Sequence, residues 1–159
     1  MKMIKAVLAI LALSFSLHAM AITDDESVEF TGACNDGNLK IVKKYVEHGL
    51  NVNELYFGWS PLQMAATKGH LDIFKYLLAH GADINYTHPV SKMNSFHLAA
   101  FDNHADIVKF IAEKGGDVNQ KMKGDVSLVR VIRDEGNTKM VDLLLSLGVK
   151  DDGCEDKCF

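Results

Sequence analysis

The 159-residue chain is 48% hydrophobic and 24% charged, an ordinary globular balance that excludes a disordered chain and allows one domain with a substantial core. Its formal charge is −4, and the basic residues are interspersed with acids, as in Lys40, Lys43, Lys44 and Glu47. Duplex phosphate is usually held by clustered lysine and arginine, so nucleic acid is a poor partner for this chain.

The chain opens MKMIKAVLAILALSFSLHAMA: two lysines, an apolar run from Ala6 to Leu17, then small residues at Ala19 and Ala21. This is the three-part pattern of a secretory signal peptide, with cleavage expected after Ala21. Twelve apolar residues fall short of the ~20 that span a bilayer core. A periplasmic or secreted mature protein without a membrane span is therefore expected, at a charge of about −6 once Lys2 and Lys5 have gone.

After the signal, four segments superpose: NDGNLKIVKKYVEHGLNVN, TKGHLDIFKYLLAHGADIN, FDNHADIVKFIAEKGGDVN and DEGNTKMVDLLLSLGVKDD. Their closing glycines, Gly49, Gly81, Gly115 and Gly148, are spaced 32, 34 and 33 residues apart. Such a period marks a repeated supersecondary unit. In the second unit Leu71, Phe74, Leu77 and Leu78 recur at three- and four-residue intervals, which places them on one face of a helix that a neighbour must cover. Gly81 and Gly115 stand where a residue of positive φ ends a helix. Upstream, Ser60-Pro61 starts a shorter helix, serine accepting from the first free amides and proline losing no hydrogen bond there. The small pair Ala65-Ala66, repeated as Ala99-Ala100, lets that helix approach its partner closely.

Ser60-Pro61-Leu62-Gln63-Met64-Ala65-Ala66, then Gly69-His70, then His80-Gly81-Ala82-Asp83-Ile84-Asn85 resembles a complete ankyrin repeat, whose usual form is TPLHLAA, GH and HGADVN. The resemblance runs from Val28 to about Lys150. Asn94-Ser95-Phe96-His97-Leu98-Ala99-Ala100 keeps the form without the proline, the first unit has Ala33-Cys34 at the small pair, and the fourth has Ile132-Arg133 there. It implies an all-α solenoid of about four helix-turn-helix units with β-hairpin-like fingers, over residues 22–151, between the signal (1–21) and a cysteine-containing tail (152–159). With the short signal, it points to an exported bacterial type.

The resemblance also sorts the polar residues. His48, His70, His80, His97 and His104 fall at positions where ankyrin histidines bond loop backbone or end helices. His88, in a loop beside Pro89, is left as a solvated side chain. Neither zinc-ligand spacing nor a Cys/His nucleophile pattern occurs, no carboxylate pair is isolated for acid-base work, and no phosphate-binding glycine motif is present. No enzyme activity, metal or cofactor is expected. Cys34 replaces a small-pair alanine and reads as a buried, inert thiol. Cys154 and Cys158, four residues apart in the tail, can come within about 6 Å in a turn or helix. In an oxidising compartment a tail disulfide is the preferred reading, with a metal pair or an intermolecular bridge as alternatives.

In the ankyrin family, partners contact the finger tips and the exposed side of the first helix of each unit. Carried over, that surface includes Asn35 and Asp36, then Tyr56, Phe57, Trp59, Thr67 and Lys68, then Val90, Met93, Phe101, Asp102, Asp134 and Glu135. Tyr56, Phe57, Trp59, Met93 and Phe101 form an expected cluster of large apolar groups, four of them aromatic, on neighbouring fingers. Exposed groups of this kind anchor interfaces, although some can pack beneath the next finger, as expected for Leu55. The surrounding acids suggest a protein partner with basic character, and polar stack ends suggest a monomer when unbound. An immunity or inhibitor protein that neutralises a secreted toxin or hydrolase fits these features. The alternative is an accessory or chaperone-like scaffold for a periplasmic enzyme of oxidative-stress type.

Overall fold

The computed structural model describes residues 23–152. The expected signal segment (1–21) and the expected disulfide between Cys154 and Cys158 lie outside the described residues. Within them are eight helices: α1 (Asp24–Asp36), α2 (Leu39–Glu47), α3 (Pro61–Lys68), α4 (Leu71–Ala79), α5 (Ser95–Phe101), α6 (Ala105–Glu113), α7 (Leu128–Asp134) and α8 (Thr138–Ser146). They pair as α1–α2, α3–α4, α5–α6 and α7–α8, and the odd-numbered helices stack in one layer with the even-numbered ones behind. The expected solenoid is what the chain forms.

The helix starts follow from the residues that precede them. Thr23 and Glu26 form a reciprocal capping box, as do Ser60 with Gln63 and Asn94 with His97, so amides that would be orphaned at the helix start are satisfied in place. Asp24, Asp25 and Glu26 therefore belong to the first turn of α1, where carboxylates complement the helix dipole. At the other ends, Gly49, Gly81, Gly115 and Gly148 all have positive φ, as the closing glycines required.

One apolar core runs the length of the stack. Ala65, Ala66, Ala99 and Ala100 are fully buried, and Cys34 at the same register is buried too, so α1, α3 and α5 pack closely. The buried stripe of α4 is Ile73, Phe74 and Leu77, which corrects the expected set: Leu71 and Leu78 are half-buried. In the fourth unit Ile132 is buried while Arg133 turns outward to an ion pair with Asp151. With that bulkier pair, α7 meets α5 over a smaller contact than α5 makes with α3.

The connections between units are held by a repeating asparagine. Asn53, Asn85 and Asn119 accept the amide N–H of Asp83, Asp117 and Lys150 in the following unit, at 2.9, 2.8 and 2.8 Å. Asp83 and Asp117 in turn accept the amides of Asn85 and Asn119 at 2.9 Å, so the recurring acids at the finger base tie turns. Each finger then projects beyond this line. The first closes through an antiparallel bridge between Tyr56 and Trp59, the third through one between Met122 and Val126.

Candidate protein-binding face

The histidines hold the stack together. His70 Nε2 meets the Asn35 carbonyl at 2.8 Å and His104 Nε2 the Thr67 carbonyl at 3.0 Å, so each ring ties one unit to the end of the preceding odd-numbered helix. His48 Nδ1 and His80 Nδ1 reach the carbonyls of Lys44 and Tyr76 in the last turns of α2 and α4. His97 is buried, and its Nε2 meets the Gln120 carbonyl at 2.9 Å. A carbonyl only accepts, so Nε2 carries the proton and Nδ1 is left to accept the Asn94 amide at 3.1 Å. Burial pushes the His97 imidazole down to about 4.

His88 is the exception to its expected role. Instead of pointing into solvent, its ring stacks on Trp59 at 4.3 Å between centroids, and Nδ1 accepts the amides of Val90 and Ser91 at 3.3 Å. A Cβ placed on Gly58 would lie 3.0 Å from His88 Nε2, and Gly58 itself has φ +84°, so glycine at that tip leaves the ring its place. Tyr86 donates its hydroxyl to the Gly58 carbonyl at 2.8 Å, and the Lys123 amide donates to the Ser91 carbonyl at 2.9 Å. The three fingers are thereby joined in series.

On this frame the expected contact residues separate. Phe57 is fully exposed at the first finger tip, with φ +54°, and Val90 is exposed at the second. Lys68, Asp102, Asp134 and Glu135 are exposed, whereas Tyr56, Trp59, Thr67, Met93 and Phe101 are half-buried. The expected five-member apolar cluster is therefore corrected. Tyr56 packs its ring against Phe30 at 6.1 Å with its hydroxyl enclosed, and burial pushes that hydroxyl up to about 12. Phe101 ends α5 and packs on the core, not on a finger. The Met93 carbonyl takes the Gln63 amide at 3.0 Å and the His88 amide at 2.8 Å. Leu55, expected beneath a finger, is instead 46% exposed, because the turn at Asn51–Glu54 precedes it and the bridge at Tyr56 follows.

Trp59 faces a groove of about 280 Å³ lined with Asn35 from α1, Met64 and Thr67 from α3, and Leu98 from α5. Met64 and Leu98 were not singled out from the sequence, although both stand immediately before the small pair; Met64 is half-buried against the core and Leu98 is buried at 8% exposure. On the opposite layer, Lys43 lies over the Tyr76 ring at 5.4 Å and Lys75 over the Phe110 ring at 5.0 Å, so a lysine of one unit covers an aromatic ring of the next. Burial pushes the Cys34 thiol up to about 12, which leaves it unreactive near neutral pH. Among the described residues no three His, Cys, Asp or Glu side chains converge to hold a metal, and no helix is long and apolar enough to cross a membrane.

Known proteins resemble part of the chain. It is 40% identical over 52 residues to the human protein phosphatase 1 regulatory subunit 27, covering 32% of this chain and 34% of that protein. It is 28% identical over 64 residues to the mouse ankyrin repeat, SAM and basic leucine zipper domain-containing protein 1, covering 40% of this chain and 14% of that one. A third likeness, 39% over 72 residues, is to BTB/POZ domain-containing protein 3 of Schizosaccharomyces pombe, covering 44% and 14% respectively. The chain thus spans about a third or less of the length of each of these relatives. The family model for ankyrin repeats in three copies matches residues 30–122, more than half of the chain, while α7 and α8 beyond that stretch repeat the same helix pair without the motif. The chain belongs to the ankyrin-repeat family, whose members are protein-interaction modules.

Proposed function

We propose that this protein grips an enzyme or toxin partner with its fingers and odd-helix face, acting as an exported inhibitor or immunity protein without catalysis of its own. The observation that carries the binding face is the tied finger series, which presents the fully exposed Phe57 on the finger closed by Tyr56 and the groove-lining Trp59. A ring carried on a tied backbone leaves only its own rotamers to be fixed on binding and no loop to be ordered, so its burial converts more fully into affinity. Export is read from the opening MKMIKAVLAILALSFSLHAMA. The likeness to a protein named as a phosphatase regulatory subunit supports action on an enzyme by contact. It equally suits an accessory scaffold that supports an envelope enzyme.

A photo-reactive residue at Phe57 is expected to cross-link one defined partner, and the same residue at Lys109, exposed on α6, is expected to capture none. Capture at Lys109 alone, or equally at both, would move the binding face elsewhere. Phe57→Ala is expected to weaken the complex by about 1–2 kcal/mol with no change in thermal midpoint, since the ring touches nothing it stabilises. Inhibition of the captured partner supports the inhibitor role, and stabilisation without inhibition supports the scaffold.

A further inference from the structure

Three of the four odd-numbered helices end on carboxylates. Asp36 is the last residue of α1, Asp102 caps α5, and Asp134 and Glu135 close α7; all four are exposed. The carbonyl end of a helix carries about half a negative charge, so an anion placed there opposes folding. Among the described residues none of the four is in an ion pair. The even-numbered layer treats the same problem differently: α2 and α6 end on Glu47 and Glu113, but the next residue is His48 or Lys114. In the odd-numbered layer the favourable sign comes from Lys68, at the end of α3, and from Arg133 in the last turn of α7, which pairs with Asp151.

Asp36 and Asp102, with Lys68 between them, stand at the ends of the helices that line the apolar groove. Asp36 follows the lining residue Asn35, and Lys68 and Asp102 stand four residues after Met64 and Leu98, one helical turn along the same face. A cation brought to that edge would meet both a carboxylate and the negative helix end behind it. We propose that the occupant of the groove is a basic, extended segment of a protein partner. It seats one apolar side chain against Trp59, Met64 and Leu98 and sets lysine or arginine side chains against Asp36 and Asp102, on either side of Lys68. The proposal rests on the reading of this face as the partner-binding one.

Trp59 is the single tryptophan of the chain, so its emission reports the groove directly. A short synthetic peptide with one central leucine between lysine and arginine pairs is expected to shift that emission saturably, with an effect that weakens as salt rises. The same peptide with glutamates in place of its bases is expected to give no shift. Asp36→Asn and Asp102→Asn are each expected to weaken the basic peptide by about two- to fivefold while raising the thermal midpoint by about 1–3 °C, a pair of opposite effects that a merely structural carboxylate would not give. Equal response to both peptides, response to neither, or Asn variants that lose stability and leave affinity unchanged would overturn the proposal. If Phe57 still cross-links a partner in that case, the basic class of occupant alone has failed and the binding face stands.

Discussion

His97 sits at 1% exposure with its imidazole near 4, against about 6.5 in an unfolded chain. Between those values the unfolded chain binds a proton that the folded one refuses, so stability is full above about pH 6.5 and declines as pH falls toward 4. From about pH 7 to about pH 5 a loss on the order of 2 kcal/mol is expected in denaturant melts. Gln63, at the same position one unit earlier, accepts the amide of its N-cap residue Ser60 as His97 accepts that of Asn94, so His97→Gln is expected to keep the capping bond without a titratable ring and flatten the decline. An unchanged decline would assign it to other groups. Gly69 gives a second test. A Cβ there would lie 2.5 Å from the His104 ring at a φ of +76°, and Gly69→Ala is expected to cost about 2–3 kcal/mol. Where the next unit has Asn137 in place of that histidine, position 103 is an asparagine with φ +62°. Adding His104→Asn should therefore recover part of the loss, read as coupling in a double-mutant cycle.

At the scale of elements, the helices were legible because their signals are local. Capping residues, closing glycines and three-to-four apolar spacing lie within a few residues of what they decide, and the structure places α3, α4 and their equivalents accordingly. The fingers were not, because their conformation is set by residues of another unit. His88 offers no local sign of a partner, yet Trp59, some thirty residues earlier, supplies the ring on which it stacks. Removal of that ring by His88→Ala is expected to red-shift and weaken Trp59 emission while the helical circular dichroism signal stays constant. Unchanged emission would mean that Tyr86 and the Gly58 carbonyl suffice to set the first finger.

Across the whole molecule, each unit touches only its neighbours, so stability is a sum of units and the interfaces between them. The Ile132-Arg133 pair gives α7 a reduced contact with α5, and amide hydrogen exchange is expected to be faster in α7 and α8 than in α3 to α6. Uniform protection would show that the pair Arg133–Asp151 and the bond from Ser127 to Asp152 compensate for it. The sequence by itself determined the repeat, its helix ends and its buried small pairs, because a period with local caps admits one way to bury its apolar faces. Only the tertiary structure decided which of the large apolar residues face water. That choice depends on where a finger meets its neighbour: Tyr56 turns to Phe30 and Phe101 to the core, while Phe57, one residue along, is left outside on a positive-φ tip.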